Sequence, residues 1–149
     1  LINTSNKSEL SVGYSTLYGD LCGALSPLGD VYKNQVYALA RFINRRGEII
    51  PNHIIQKAPS AELRPGQKDA DSLPAYDVLD ELLKHYIEEQ KGVDELITMG
   101  YDQTTVYKII DLVNASEYKR YQAPPILRVS SKSFGKGRIM PLVANYSSK

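Results

Sequence analysis

Five groups of residues in this sequence carry side chains able to do chemistry. The first is Thr4-Ser5-Asn6-Lys7-Ser8-Glu9. It follows Leu1-Ile2, which reads as the end of a buried strand, and the loop after a strand end is where open α/β sheets bind ligands. Hydroxyls and free backbone N–H groups there can hold phosphate or ribose, and Glu9 offers a hard oxygen ligand suited to Mg²⁺ beside phosphates. The same residues also fit a plain helix start capped by Thr or Ser, although Ser5-x-x-Ser8 lacks the Glu or Gln of a capping box. The second group is Gly19-Asp20, where Asp20 serves either as an Asx-turn residue or as a hold on a ribose or a metal-bound water. The third is Lys33, in the first turn of a predicted helix. A cation there opposes the helix dipole at a cost of about 0.3–1 kcal/mol. A bound phosphate offsets that cost, and so does screening of a solvated lysine. The fourth is the charged run Lys57, Ser60, Glu62, Arg64 and Lys68, which reads as a lid over a polyphosphate or as a plain surface loop. The fifth is Glu117-Tyr118-Lys119-Arg120, either a grip on a dinucleotide or a helix-end charge cluster.

These residues need elements to hold them. A short helix is predicted over 8–12 and a clear amphipathic one over 30–45. The stripe of the latter is Tyr32, Val36, Leu39, Ala40 and Ile43, with Asp30 as N-cap and Gly47 as stop. Residues 51–74, broken by Pro59, Pro65, Gly66 and Pro74, read as a long loop. Helical spacing returns with Val78, Leu79, Leu82, Leu83, Tyr86 and Ile87, then Val93, Leu96 and Ile97 up to Gly100. Asp102 is placed to cap a third helix whose Val106, Ile109, Ile110 and Val113 face inward. From Glu117 onward the chain is basic and reads as extended. The expectation is one domain, mostly helix and loop, with at most one or two strands.

Composition narrows the classes. At 149 residues and 42% hydrophobic the chain is long and apolar enough to pack one core. A net charge of +1 argues against a nucleic-acid or anionic-membrane partner, and the two cations of Gly135-Lys136-Gly137-Arg138 are too few to change that. Cys22 is the sole cysteine, which excludes an internal disulfide and fits a reducing, cytoplasmic setting. It reads as a small packed residue. His53 and His85 lack partners at metal-ligand spacing. The chain opens without Met on an unpaired strand end, which reads as a cut.

Four blocks together resemble one family. They are Thr4 through Asp20; Pro27-Leu28 with Val31-Tyr32-Lys33-x-Gln35-Val36; Lys57 through Asp69; and Glu117-Tyr-Lys-Arg120 followed by Gln-Ala-Pro-Pro125. In this order they resemble NAD synthetases over nearly the whole chain. The resemblance implies a Rossmann-like α/β parent fold of the adenine nucleotide α-hydrolase type, of which residues 1–149 are a C-terminal part. It also implies a reaction. ATP and Mg²⁺ activate the nicotinate carboxylate of deamido-NAD as an acyl-adenylate, and ammonia then yields NAD and AMP. By this similarity Thr4, Lys33 and Ser60 meet ATP. Glu9 serves Mg²⁺ or deamido-NAD, and Tyr14, Ser15, Thr16, Asp20 and Lys119 line the deamido-NAD pocket. Residues 57–73 resemble the lid that closes over ATP.

The long tail from Ala123 to Arg138 looks more like the glutamine-dependent form than the ammonia-dependent one. Two departures stand out: Asn3 replaces the family's Gly before Thr-Ser-Asn, and the Ser-Gly-Gly-x-Asp-Ser pyrophosphate loop does not occur in these residues. The chain alone is therefore expected to be inert. The family's homodimers imply self-association. Two other readings remain: a non-catalytic module that holds deamido-NAD or a partner subunit, and another ATP-pyrophosphatase amidotransferase such as a GMP-synthetase relative.

Overall fold

The computed structural model describes residues 1–60 and 64–143. Their helices are α1 (Lys7–Val12), α2 (Lys33–Ile43), α3 (Asn52–Gln56), α4 (Tyr76–Ile87), α5 (Val93–Thr98), α6 (Gln103–Ala115) and α7 (Glu117–Tyr121), with a 3₁₀ turn at Asp69–Asp71. Only isolated bridges occur among the described residues. Ile2 pairs in parallel with Leu25, and Ser26 in parallel with Ile126. The Asn3 N–H donates to the Leu25 carbonyl at 2.9 Å, and the Ser26 N–H to that of Pro125 at 2.8 Å. Three extended segments thus run side by side in the parallel sense that an α/β fold uses. The mostly helical expectation stands, and the strand content falls at its lower limit.

The core follows the helical stripes. Leu79, Leu82, Leu83 and Ile87 of α4 interlock with Leu96 of α5 and with Val106, Ile109, Ile110 and Val113 of α6, all essentially buried. Leu10 and Val12 of α1 join the cluster, as do Leu21, Tyr32, Leu73 and Phe134. Each such side chain contributes about 1.5–3 kcal/mol by leaving water. Val78, at the edge of the α4 stripe, is exposed.

Several expectations are corrected. Helix α1 begins one residue earlier than its pattern, because Asn6 and Glu9 form the capping box that Ser5 and Ser8 do not. It ends on Gly13, whose φ of 65° is left-handed, and a Cβ there would also collide with Ser116. Helix α2 starts at Lys33 rather than Asp30, and Asn44 rather than Gly47 ends it. None of the helix's own residues is fully buried, and Leu39, Phe42 and Ile43 stand exposed; of the stripe only Tyr32, just ahead of the helix, enters the core. The 51–74 loop contains α3 and the 3₁₀ turn, and α7 occupies the first residues of the tail read as extended. Cys22 is exposed rather than packed.

Asp30 is instead a core residue. Its carboxylate lies 2.9 Å from the Lys7 ammonium, and both side chains are fully buried. Lys7 also donates to Glu88 at 2.8 Å, the Ser130 hydroxyl at 2.7 Å and the Lys132 carbonyl at 2.9 Å. Its charge lies 4.9 Å from the centre of the Tyr32 ring. Burial works against the Asp30 carboxylate, but hydrogen bonds from the Ser130 hydroxyl, the Ser130 and Val129 N–H groups and Lys7 outweigh it and hold its pKa down. Glu88 behaves likewise: burial raises its pKa, and Lys7 and Ser131 more than reverse this. Asp80 is opposite, pushed up chiefly by burial.

Two outcomes follow. Asp30→Ala should cost about 3–5 kcal/mol in urea unfolding, because it removes one of the two carboxylates around a buried ammonium and leaves the Val129 and Ser130 N–H groups without their acceptor. On acidification Asp80 takes its proton first, which favours the folded state. Asp30 and Glu88 then lose their contribution below their ordinary values of 3.8 and 4.5. Urea midpoints should therefore hold or rise slightly as pH falls towards 4.5, and drop below it.

Candidate functional site

Residues distant in the chain meet at a cavity of about 460 Å³ lined by Gly13, Tyr14, Ser15, Thr16, Asp20, Gln67 and Lys119. Its near wall is the turn that follows α1. The Asp20 carboxylate accepts from the Thr16 N–H and hydroxyl, and the Asp20 carbonyl accepts from the Asn3 amide and the Ser5 hydroxyl. Asp20 is thus a turn-former and a wall residue at once. The Ser15 hydroxyl is buried with no hydrogen-bond partner among the described residues.

Lys119 closes the far side. Its ammonium donates to the Gly13 carbonyl at 2.6 Å and the Ser15 carbonyl at 2.8 Å. Its neighbour sets it there. Arg120 is buried and donates to the Leu10, Ser11 and Val113 carbonyls, pairs with Glu117 at 2.9 Å, and lies 4.8 Å from the centre of the Phe134 ring. The two adjacent cations therefore part: Arg120 pins α7 to α1, and Lys119 faces the cavity. Neither simple reading of the charge cluster captured that division.

A second cavity of about 400 Å³ lies between α2 and the segment after it, with Lys33, Tyr37, Ile54, Lys57 and Ser60 in its wall. The Lys33 ammonium pairs with Glu9 at 3.0 Å and sits 5.6 Å from the centre of the Tyr76 ring. A carboxylate therefore answers the lysine in the first turn of α2, with no bound anion needed. The start of α2 is capped from outside the helix. The Lys33 N–H donates to the Ser8 hydroxyl at 2.9 Å and the Asn34 N–H to Asp80 at 2.9 Å, while the Ser8 hydroxyl donates to Asp80 at 2.5 Å. A third cavity of about 600 Å³ is bounded by Lys57, Ser60, Arg64, Gln67 and Lys68.

Of the residues singled out from sequence, Tyr14, Ser15, Thr16, Asp20 and Lys119 share the first cavity, and Lys33 and Ser60 the second. Glu9 joins the second through its ion pair. Thr4 is exposed and lines none of the three. Glu62 lies outside the described residues. Gly13 and Gln67 were missed. A glycine directly after a helix is a legible cap signal; a glutamine inside a loop carries no such mark. Among the described residues no three His, Cys, Asp or Glu side chains cluster as a metal site.

Comparison with known proteins agrees with these blocks. The NAD synthase family model matches residues 1–123. The glutamine-dependent NAD(+) synthetase of Synechocystis sp. is 51% identical over 142 residues, which are 95% of this chain and 25% of that protein. The solved glutamine-dependent NAD+ synthetase from Acinetobacter baumannii, in complex with ADP, is 41% identical with a TM-score of 0.51, over 99% of this chain and 26% of that one. The Cytophaga hutchinsonii glutamine-dependent NAD(+) synthetase superposes with a TM-score of 0.71 at 25% identity, over 97% and 24%. This chain spans about a quarter of the length of these relatives. With most of its length matched by the family model and half of its residues shared with a relative, the chain belongs to the NAD synthase family.

Proposed function

We propose that this chain forms the dinucleotide pocket and part of the ATP site of an enzyme that amidates deamido-NAD to NAD. The observation that carries the reading is the first cavity. Lys119 reaches it from a point 104–106 positions beyond the Gly13 and Ser15 carbonyls it grips, and five residues assigned to deamido-NAD by resemblance line it. The relatives' names, which include the word glutamine-dependent, support glutamine as the nitrogen source. A neighbour solved with ADP supports adenine nucleotide use.

In this reading ATP adenylates the nicotinate carboxylate, pyrophosphate leaves, and ammonia displaces AMP. The carboxylate is a poor electrophile until adenylated, so cations must hold the charge that builds on the leaving phosphates. Lys33 has that position, held by Glu9 and by the Ser8–Asp80 cap beneath it. Ser60 offers a hydroxyl in the same cavity. Lys119 brings a positive charge to the wall of the dinucleotide pocket, with Tyr14 and Thr16 beside it. Mg²⁺, when bound, would neutralise phosphate charge. Glu9 offers it one carboxylate, which suits an ion usually held by one or two carboxylates and the substrate's own phosphates. Thr4, exposed at the same chain segment, is proposed to meet ATP. The setting proposed is cytoplasmic, and no described helix is long and apolar enough to cross a membrane.

A second copy of the chain is proposed to cover the exposed α2 face of Leu39, Phe42 and Ile43, continued by Ile49 and Ile54. Exposed apolar patches of this kind mark association surfaces.

Three measurements test these statements. NAD formation should be absent for the 149-residue chain and present when the upstream residues of the Synechocystis relative are joined ahead of Leu1. Turnover by the short chain would overturn the proposed division of the ATP site. In that joined protein, Lys33→Met should raise KM for ATP by about 10- to 100-fold and leave KM for deamido-NAD unchanged. Lys119→Met should do the reverse by a similar factor, the size of one charge-assisted hydrogen bond. In light scattering the chain should measure as a dimer, and Phe42→Lys should shift it to monomer; a monomeric parent chain refutes the α2 interface.

A further inference from the structure

Residues 69–72 are fastened to the helices from several sides. The Asp69 N–H donates to the Pro59 carbonyl at 3.0 Å, and the Tyr76 hydroxyl donates to the Asp69 carboxylate at 2.7 Å. The Lys108 ammonium of α6 donates to the Ser72 carbonyl at 2.6 Å. The chain leaves this anchored stretch through Lys68, Gln67 and Gly66. Gly66 has a φ of 71°, a left-handed turn with open space around its Cα, so the turn rather than packing favours glycine. Immediately after that turn, the Gln67 carboxamide donates to the Tyr14 hydroxyl at 3.2 Å, 53 positions away. The Ser72 hydroxyl approaches the same oxygen at 3.5 Å.

Gln67 lies in the wall of two cavities at once. It borders the first with Tyr14 and Lys119, and the third with Ser60, Arg64 and Lys68. Tyr14 is tied to α1 through its backbone, its N–H donating to the Glu9 carbonyl at 2.9 Å, and it stands in the wall of the first cavity. A side chain that borders two cavities and bonds to a wall residue of one of them is placed to couple the two.

We infer that Gln67 is a positioning residue. Through the Tyr14 hydroxyl it ties the loop around residues 64–68 to the first cavity, so that a dinucleotide held there also orders the wall beside Ser60. This rests on the reading of the first cavity as the deamido-NAD pocket. Coupling of this kind is reciprocal, so a polyphosphate that orders the loop tightens the dinucleotide pocket in turn.

Hydrogen exchange on the 149-residue chain, with and without deamido-NAD, tests it. The ligand should slow the amides of residues 13–20, and also those of residues 64 and 66–68, the latter by about 3- to 10-fold, the scale of one neutral hydrogen bond. Gln67→Ala should keep the first effect and lose the second. Tyr14→Phe, which retains the ring and removes the hydroxyl, should also lose the second, and it decides the matter if Gln67→Ala does not fold. Protection of residues 13–20 without the loop, or loop protection unchanged in both variants, overturns the role of Gln67 and leaves the pocket reading intact. No protection at residues 13–20 overturns the pocket reading, and the inference with it.

Discussion

A buried ammonium organises this structure. Lys7 has no access to water, and an unpaired charge in that position would cost several kcal/mol. The chain answers with Asp30, Glu88, Ser130 and the Lys132 carbonyl, which come from three distant stretches. To satisfy one residue of α1, the fold must bring the approach to α2, the end of α4 and the tail to a single point. Asp30 carries the arrangement outward, because its carboxylate also accepts the Val129 and Ser130 N–H groups. Everything placed by α1 depends on that point.

Helix α1 is only six residues, roughly 9 Å long at the usual rise per residue. Its two ends serve different cavities. At the N-terminal end Ser8 and Glu9 hold the start of α2 and the Lys33 ammonium. At the C-terminal end Gly13 turns the chain so that Tyr14, Ser15 and Thr16 form a wall. Under the proposed function, a nucleotide and a dinucleotide must be held a short, constant distance apart, since reacting groups must meet within contact distance. A short capped helix braced by a buried charge is a rigid spacer of that kind.

The same economy appears at α7. Successive helical residues point about 100° apart, so a pair of adjacent cations cannot both face one cavity. Arg120 enters the interior, where its planar fork meets three carbonyls and Glu117, a geometry that lysine could not match. Lys119 is then directed at the cavity, where its ammonium donates to the Gly13 and Ser15 carbonyls.

Much of this was legible beforehand. The stripes of α4, α5 and α6 are dictated by helical period, and the buried residues are those the period marks. The cap of α6 by Asp102 was readable for the same local reason. The grouping of Tyr14 through Asp20 with Lys119 was available from resemblance, since a family's motif carries its spatial relations with it. Asp30 was misread because a carboxylate just before a helix is usually a cap, and nothing local reveals a lysine waiting 23 positions upstream. The stripe of α2 was legible as an apolar face, but its exposure at Leu39 and Ile43 was not, because periodicity does not report what covers a face. By itself, the sequence determined the longer helices but not the five-residue α3 and α7, together with which faces are apolar and which family the blocks belong to, because those properties reside in neighbouring residues. Only the tertiary structure decided which charges are buried, which of two adjacent cations meets the cavity, and that Gln67 touches Tyr14, because each depends on partners that the chain brings together from far apart.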